Sequence, residues 1–430
     1  PRHRPLMADS VDRNSILGWL VDPLSSTRAS AEAAFQFTAD RRAWLAPVGI
    51  GIALLAISAV GSVLDPKQFF FSYLTGWSFL LTTAVGGLFF LFFQHLTKAA
   101  WSVTTRRINE ALVWAFPLLA LLGIPILFGM HDLYHWTHAE LYDPSSPQYD
   151  EILAGKRSYL NTPFWAIRMV LYFALWTFIS YRLYTLSVRM DVEGPGEAGD
   201  GIPAQLRSTS AWGLPLSAVA TAFCSYDVLM STDPHWFSTI FGIYFFSGGI
   251  LAAVSAIALF ALLLQQTGGM LQGAVTAEHY QDLGKFMFGF VVFWAYIAFS
   301  QYMLYWYGGI PEEIVWYQHR LEGAWAWHSA LLLVMHFIVP FLILLPRFTK
   351  RSTPILGVMA VWLIGMHWFD IHWIVRPVMS DAATFHWLDF TTWLGLTGVF
   401  GGFVMYRLRR HALVPQQDPY LADSLHFENT

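Results

Sequence analysis

Ten apolar runs, each long enough to cross about 30 Å of hydrocarbon as a helix, constrain this chain more than any other feature. Inside a bilayer the backbone N–H and C=O groups have no water to bind, so a spanning segment must pair them internally, as a helix does. We therefore predict an all-α polytopic membrane protein with ten transmembrane helices. The predicted spans are residues 44–64, 74–94, 111–129, 163–186, 211–230, 237–264, 285–307, 325–345, 354–375 and 385–406.

Composition supports this assignment and divides the chain. Of 430 residues 55% are hydrophobic and only 13% are charged, against about 25% charged in soluble proteins. We predict an N-terminal arm (1–43), a membrane domain (44–406) and a C-terminal tail (407–430), without a cleavable signal peptide before the first run. Within these parts, 28–43 is predicted to form a short interfacial helix and 191–202 a flexible loop.

A single cysteine, Cys224, limits the cofactors that this chain can bind by itself. It excludes an internal disulfide, a C-x-x-C-H haem attachment and an iron–sulfur cluster held by cysteines of this chain alone. We predict no catalytic residue and no metal ligand in the chain, so any such cofactor would belong to a partner.

Basic residues predict the orientation of the chain. The N-terminal arm, the even-numbered connections and the tail hold 17 Lys and Arg, and Arg182 and Lys285 lie at the adjoining ends of the fourth and seventh runs. The odd-numbered connections hold five, and Arg168 lies inside the fourth run. By the positive-inside rule both termini are expected in the cytoplasm. The membrane would be the bacterial cytoplasmic (inner) membrane.

Histidines show the opposite bias, because nine of 15 fall in the predicted outer half: His131, His135, His138, His235, His319, His328, His367, His372 and His386. Asp227, Asp370 and Asp389 follow the same trend. An ionisable group inside a membrane usually persists only where a partner, a cavity or a function compensates for its cost. Candidate chemistry is therefore concentrated in the outer half.

His131, His135 and His138 recur at a spacing that places them on one face of a helix. Such a stripe could bind a metal or relay protons at the membrane surface. It could equally be an interfacial helix whose rings lie among lipid headgroups.

The string "SYDVLMSTDPHWF" ends the fifth run. Asp233 and His235 flank a proline and are expected as turn and cap residues. Asp227 is expected about one turn below the membrane surface, where it needs water or a partner. Arg168 could be the counter-charge of Asp227 or of Asp370.

In the ninth run, "MHWFDIHWIV" places His367 and Asp370 on one face and His372 elsewhere. The pair could exchange protons near neutral pH or could join helices as a structural pair. His336 is a lone mid-membrane histidine, either a proton relay or a packing donor. His328 with His336 suggests a haem-binding helix, but only His336 lies at mid-membrane depth.

Five tryptophans accompany the outer histidines and carboxylates: Trp325, Trp327, Trp368, Trp373 and Trp387. An apolar aromatic slot with a proton acceptor suits a quinol. The alternative is an ordinary interfacial aromatic belt. In the inner half, the candidates for a proton route are Glu110 and Lys285, which lie at predicted helix starts and are weak candidates.

A faint internal repeat is suggested by "LYHW" before the fourth run and "LYWYG" before the eighth. In that repeat Asp227 and Asp370 occupy matching places late in the fifth and ninth runs. Duplicated helix bundles are common in membrane proteins.

Several strings resemble a family of membrane subunits of bacterial alternative complex III: "GMHDLYHWTH", "YLNTPFWAIRMVLYF", "DVLMSTDPHWFSTIFGIYFF", "FMFGFVVFWAYIAFSQYMLYWYGGIPEE" and "MHWFDIHWIV". That complex is a quinol:cytochrome c oxidoreductase, and the family is similar to the membrane anchors of polysulfide and nitrite reductases. The resemblance covers the third to tenth runs.

The resemblance implies a ten-helix subunit with two four-helix bundles at its centre. Its implied partners are a homologous ten-helix quinol-binding subunit, a haem c subunit, an iron–sulfur subunit and lipids. It further implies a role in a quinone-side pocket or a proton path, with a quinone or quinol as the small molecule involved. A stand-alone proton- or ion-coupled transporter and a purely structural anchor are the alternatives.

Overall fold

The computed structural model describes residues 35–38, 40, 42–196 and 199–429, and within these ranges the chain is helical and contains no strand. Ten helical segments in the described part are long and apolar enough to cross a membrane. The prediction of an all-α polytopic membrane protein is confirmed. The segments, numbered span 1 to span 10, are Leu45–Leu64, Pro66–Leu96, Ala100–Phe128, Thr162–Glu193, Ile202–Thr232, Phe241–Gly268, Ala277–Gly308, Trp325–Leu344, Thr353–Val378 and Trp387–Leu408.

Several helices extend beyond the apolar runs at one or both ends. Capping groups in the polar flanking sequence determine where such a helix begins. Span 2 begins at Pro66, where the Asp65 carboxylate accepts a hydrogen bond from the Gln68 N–H at 3.0 Å. Span 4 continues to Glu193 and span 5 begins at Ile202. Residues 191–193 of the predicted flexible loop 191–202 therefore belong to the helix of span 4.

Spans 3 and 8 are not single α-helices. Span 3 consists of Ala100–Ser102, Val103–Val113, Phe116–Leu122 and Ile124–Phe128, and the last two helices have Pro117 and Pro125 in their first turns. Span 8 consists of Trp325–Leu332, a π-helix at Leu333–Ile338 and Val339–Leu344. Pro340 lacks an N–H to donate to the helix, which accounts for the interruption there. Gly86 and Gly87, by contrast, do not break span 2.

Eight spans form two four-helix bundles. Spans 2, 3, 4 and 5 pack in a ring, and spans 6, 7, 8 and 9 pack in a second ring. Span 2 joins the bundles by packing along span 6, while span 10 packs on span 1 and span 2. The two bundles share one helix order, as the predicted repeat requires, with Asp227 and Asp370 in the fourth helix of each.

Close backbone approach at glycine makes these interfaces possible. A Cβ atom added to Gly86 in span 2 would lie 2.3 Å from the backbone of Gly249 in span 6. A Cβ atom added to Gly51 in span 1 would lie 2.6 Å from the carbonyl oxygen of Gly395 in span 10. Small residues at helix interfaces increase van der Waals contact where lipid provides no hydrophobic drive for association.

The two ends of the bundles differ in their connections. The tail side is the end at which span 1 begins and span 10 ends, and it also carries the short helix Arg347–Arg351. The loop side is the opposite end, with the short helices Glu151–Lys156 and Pro311–Leu321. In the predicted orientation the loop side faces outward.

Residues 409–429, the C-terminal strap, fold back across the tail side. The Leu413 N–H donates to the Phe35 carbonyl at 2.8 Å, and the Gln416 N–H donates to Asp191 at 2.7 Å. After the short helix Leu421–Leu425, the Asn429 N–H donates to Glu278 at 3.2 Å. The strap thus connects span 4 of the first bundle with span 7 of the second. The predicted interfacial helix at 28–43 lies largely outside the described residues.

Candidate functional site

A polar cluster lies in the second bundle and at its contact with span 2. We name it the membrane cluster: Thr82, Tyr244, Trp294, His336, His367 and Asp370. Asp370 is 1% exposed and accepts hydrogen bonds from the Tyr244 hydroxyl and, at 3.0 Å, from Trp294 Nε1. Within the described residues no basic group forms an ion pair with it inside 4.0 Å. Its carboxyl is therefore held by neutral donors alone.

Two histidines of the membrane cluster have ring nitrogens without a partner. The His336 ring lies 4.1 Å from the Trp294 ring, centroid to centroid, and neither of its nitrogens has a hydrogen-bond partner in the described part of the chain. His367 Nε2 lies 2.7 Å from Thr82 Oγ1 in span 2, whereas its Nδ1 has no partner. Buried polar atoms are usually paired, so these nitrogens require an explanation such as water or a proton-transfer role.

The predicted His367–Asp370 pair is wrong as a direct contact. Both side chains do face span 6, because an added Cβ atom at Gly248 would lie 2.7 Å from His367 and 3.5 Å from Asp370. The Asp370 carboxyl group is hydrogen-bonded to Tyr244 of span 6 and Trp294 of span 7. The His367 imidazole contacts Thr82 of span 2 instead. Helical spacing indicates a shared face, but not which neighbour occupies it.

Asp227 has the compensation that Asp370 lacks. Arg168 donates two hydrogen bonds to it, from Nε at 2.8 Å and Nη2 at 2.7 Å, and the Tyr172 hydroxyl donates a third at 2.9 Å. The Arg168 guanidinium also lies 3.9 Å from the centre of the Tyr159 ring. Arg168 is thus the counter-charge of Asp227 and not of Asp370. A bidentate pair with every charge partnered is a typical structural clamp.

On the loop side, between the two bundles, lies a cleft of about 380 Å³ lined by five histidines. We name it the histidine cleft. The His131 and His138 rings stack with centroids 4.0 Å apart, and His135 lies 5.2 Å from His138. The other lining residues include Lys67, Asp132, Asp233, His235 and His319.

The predicted single helix through His131, His135 and His138 is wrong. The chain forms a short helix at Met130–Leu133 and then a 3₁₀ turn at His135–Thr137. Tyr134 between them is extended, with φ −124° and ψ 101°, and its hydroxyl donates to the Val228 carbonyl at 3.0 Å. The buried tyrosine interrupts the helix, and the loop brings the three rings together by a different route.

Two of the cleft histidines are paired with carboxylates. His235 Nε2 lies 2.6 Å from Asp150, and His319 Nε2 lies 2.6 Å from Asp381. Burial raises the pKa of Asp150, but the Leu153 N–H and His235 outweigh it, so the pKa is lowered overall. Partial burial and the neighbouring His138 and His235 lower the pKa of His135. Among the described residues no group of three or more His, Cys, Asp or Glu is arranged to hold a metal ion.

A third group combines histidine with aromatic rings near the loop side of spans 8, 9 and 10. His372 Nε2 lies 3.7 Å from Asp389, which accepts a 2.5 Å hydrogen bond from Ser72. The His328 ring lies 5.6 Å from Phe369 and 5.5 Å from Phe385, centroid to centroid. His328 and His336 thus lie in separate surroundings.

The tryptophans of this zone divide by exposure. Trp325 and Trp368 are buried, whereas Trp327 is 79% and Trp387 is 44% exposed. The exposed rings fit an interfacial belt, and the half-exposed Phe385 beside His328 offers an apolar face next to an imidazole.

Some polar residues of these sites were missed by sequence reasoning. Tyr244, Trp294 and Thr82 carry no signal of their own, because aromatic and hydroxyl side chains are frequent in spans. Arg320 is 1% exposed, and its guanidinium lies 3.5 Å from the centre of the Trp316 ring. Burial lowers the pKa of Arg320 to about 9.

Glu110 was expected at the start of a helix, at the edge of the membrane domain. It is 1% exposed and lies 3.1 Å from Arg107, so it is buried inside the protein.

No protein-family profile matches the chain, and no curated protein matches it significantly.

Proposed function

We propose that this chain is a membrane subunit of a quinol-oxidising respiratory complex and contributes a proton path through the second bundle. The observation that carries the proposal is the membrane cluster, a buried carboxyl without a basic partner beside two histidines with unpartnered ring nitrogens. The resemblance of five sequence strings to a membrane subunit of alternative complex III supports the choice of reaction. The redox cofactors in this proposal belong to partner subunits.

The chemistry of the cluster suits proton storage and transfer. Asp370 can be neutral or ionised without breaking an ion pair, because its donors, Tyr244 and Trp294, are uncharged. His336 and His367 each offer a ring nitrogen that can accept a proton. An isolated charge in hydrocarbon is costly, so a proton moving through this region would be passed between such groups.

The loop side offers groups for the quinol reaction itself. Quinol oxidation releases protons as electrons leave, and these protons need acceptors near the ring. His328 lies beside Phe369 and Phe385 at an aromatic surface, which fits the edge of a quinone-side pocket. The histidine cleft contains five imidazoles that can accept protons on the side predicted to face outward.

A stand-alone proton- or ion-coupled transporter is the second candidate. The π-helix at Leu333–Ile338 favours it, because interrupted helices near buried ionisable groups are typical of transport sites. His336 lies inside that π-helix. Purification in a mild detergent separates the two candidates. Haem-bearing partners should accompany a respiratory subunit, whereas a transporter would purify alone and move solute in proteoliposomes.

The proton path is tested by Asp370→Asn in the complex reconstituted into proteoliposomes, with quinol oxidation and the appearance of protons on the loop side measured separately. We expect fewer protons to appear on that side per electron, because an amide cannot take up and release a proton as a carboxyl group does. Asp423→Asn, at an exposed strap residue, is the matched control. An unchanged ratio of protons to electrons in Asp370→Asn would leave the cluster as helix packing alone.

A further inference from the structure

A second, smaller cavity lies on the tail side, away from the groups discussed above. It is lined by the end of span 2, the starts of spans 3 and 5, and the C-terminal strap. Three basic residues line it, Lys98, Arg106 and Arg207, against one carboxylate, Asp418. Asp418 is bound to Arg106 as a buried ion pair. Lys98 and Arg207 have no ion-pair partner within 4.0 Å among the described residues.

Buried polar atoms in the same wall also lack partners. Gln94 is 2% and His95 is 6% exposed, and both line the cavity. Among the residues that the structure describes, neither amide atom of Gln94 has a hydrogen-bond partner, and His95 Nε2 has none either. The cations Lys98 and Arg207 therefore lie beside buried N–H groups that lack an acceptor. An anionic oxygen would supply that acceptor and pair with the cations.

We propose that this cavity binds a phosphate group, that of an anionic phospholipid headgroup or of a small soluble phosphate. The cavity volume of about 20 Å³ admits one oxygen-sized group. The phosphate therefore sits at the mouth between Lys98 and Arg207, with one oxygen directed at His95 and Gln94. Span 2 ends at Leu96 and span 5 begins at Ile202, and the ends of spanning helices reach the headgroup region of a bilayer. Leu96 is 37% exposed there and offers a surface for an acyl chain. Basic pockets between spans are known sites for anionic headgroups.

The proposal is tested on the full-length protein in detergent by native mass spectrometry. Phosphatidylglycerol, phosphatidylcholine and inorganic phosphate are titrated separately. We expect phosphatidylglycerol to bind more tightly than phosphatidylcholine. The variant Lys98→Gln should bind phosphatidylglycerol about fivefold more weakly than wild type, and the double variant Lys98→Gln/Arg207→Gln should bind it more weakly still. Arg189→Gln, at an exposed cation paired with Glu193 on span 4, should bind as wild type.

Each outcome is decisive. Equal binding by the single variant and wild type overturns the site, and Lys98 is exposed enough that this substitution leaves the fold intact. Loss of binding in Arg189→Gln to the same extent overturns it too, since attraction would then be non-specific. Saturation by inorganic phosphate, with no competition from phosphatidylglycerol, assigns the cavity to a soluble phosphate and overturns the lipid source.

Discussion

Two aspartates in matching places of the two bundles are held in opposite ways. Asp227 is 0% exposed and receives two hydrogen bonds from Arg168, so its charge is matched inside the protein. Asp370 is 1% exposed and, among the described residues, receives hydrogen bonds from Tyr244 and Trp294 only. The first carboxylate faces a cation, whereas the second faces neutral donors. The same residue type therefore serves structure in one bundle and is available for chemistry in the other.

Removing the charge of Asp227 should destabilise the protein. Asp227→Asn leaves the Arg168 guanidinium buried without a counter-charge, and breaking a buried pair from one side costs about 3–5 kcal/mol. We expect the free energy of unfolding in detergent to fall by that order. Glu193→Gln, which removes one partner of an exposed pair with Arg189, should change it little.

A double-mutant cycle tests whether the effect comes from the pair. Arg168→Gln/Asp227→Asn removes both charges and should cost less than the sum of the single variants. Additive losses would show that the two side chains do not depend on each other.

The histidine cleft should make stability depend on pH. The lowered pKa of His135 means that the folded state favours its neutral form. The associated stability is complete above the unfolded value of 6.5 and is lost as the pH falls below it towards the folded pKa. The pKa of Asp150 is lowered from 3.8, so its contribution is still complete at pH 5.5. We expect the midpoint temperature of thermal unfolding to decrease as the pH is lowered from 7.5 to 5.5.

The variant His135→Gln should make that fall shallower, because the glutamine does not titrate. His426→Gln, on the tail side, serves as the control for removal of an imidazole elsewhere. An identical pH dependence in His135→Gln and wild type would contradict the assignment.

At the scale of helices, the packing of span 1 on span 10 depends on glycine. Gly51→Ala places a methyl group 2.6 Å from the Gly395 carbonyl oxygen and 2.7 Å from the Val399 nitrogen, so the two helices must move apart. Overpacking of this kind costs about 1–3 kcal/mol. Gly49→Ala is a matched control in the same helix, because nothing lies within 4 Å of its added Cβ atom. Thermal unfolding should show a lower midpoint for Gly51→Ala alone.

Hydropathy predicted the existence of every span and the bounds of spans 1 and 8 to within one residue, but it underestimated the length of others. Span 7 was expected from residue 285, yet the helix begins at Ala277, where Thr276 caps it. The first turns of such helices are polar, so an apolar run does not include them. The broken helix at His131 likewise depends on a tertiary contact, the Tyr134 hydrogen bond to Val228.

At the scale of the whole molecule, the two bundles meet where span 2 packs on span 6. Gly86→Ala would place a methyl group 2.3 Å from the Gly249 backbone, which cannot move aside as a flexible side chain could. We expect a loss of about 1–3 kcal/mol or failure to fold. Gly365→Ala, in span 9 with nothing within 4 Å, should be neutral or slightly stabilising.

A normal thermal midpoint for Gly86→Ala would mean that the bundles are not held in register by this contact. Because His367 is bonded to Thr82 across the same interface, a shift there should also change the membrane cluster.

The candidate site was predictable in its depth and side but not in its connections. The sequence places Asp370, His367 and His336 within spans. It does not show that Tyr244 and Trp294, from two other spans, reach Asp370, since periodicity defines faces and not neighbours. The convergence of His235 and His319 with the three loop histidines depends on how the bundles are set side by side, which no local pattern encodes.

The C-terminal strap has a consequence for biosynthesis. Arg106 in span 3 receives its counter-charge from Asp418, and Asp191 in span 4 accepts a hydrogen bond from the Gln416 N–H; both partners follow all ten spans in the chain. Asp191 is also paired with Arg107 of span 3, so its charge is matched without the strap. During translation, the first bundle can therefore be inserted long before Arg106 receives its counter-charge. A polypeptide released early, with every span present but the strap missing, would keep this one cation unmatched at the end of the first bundle.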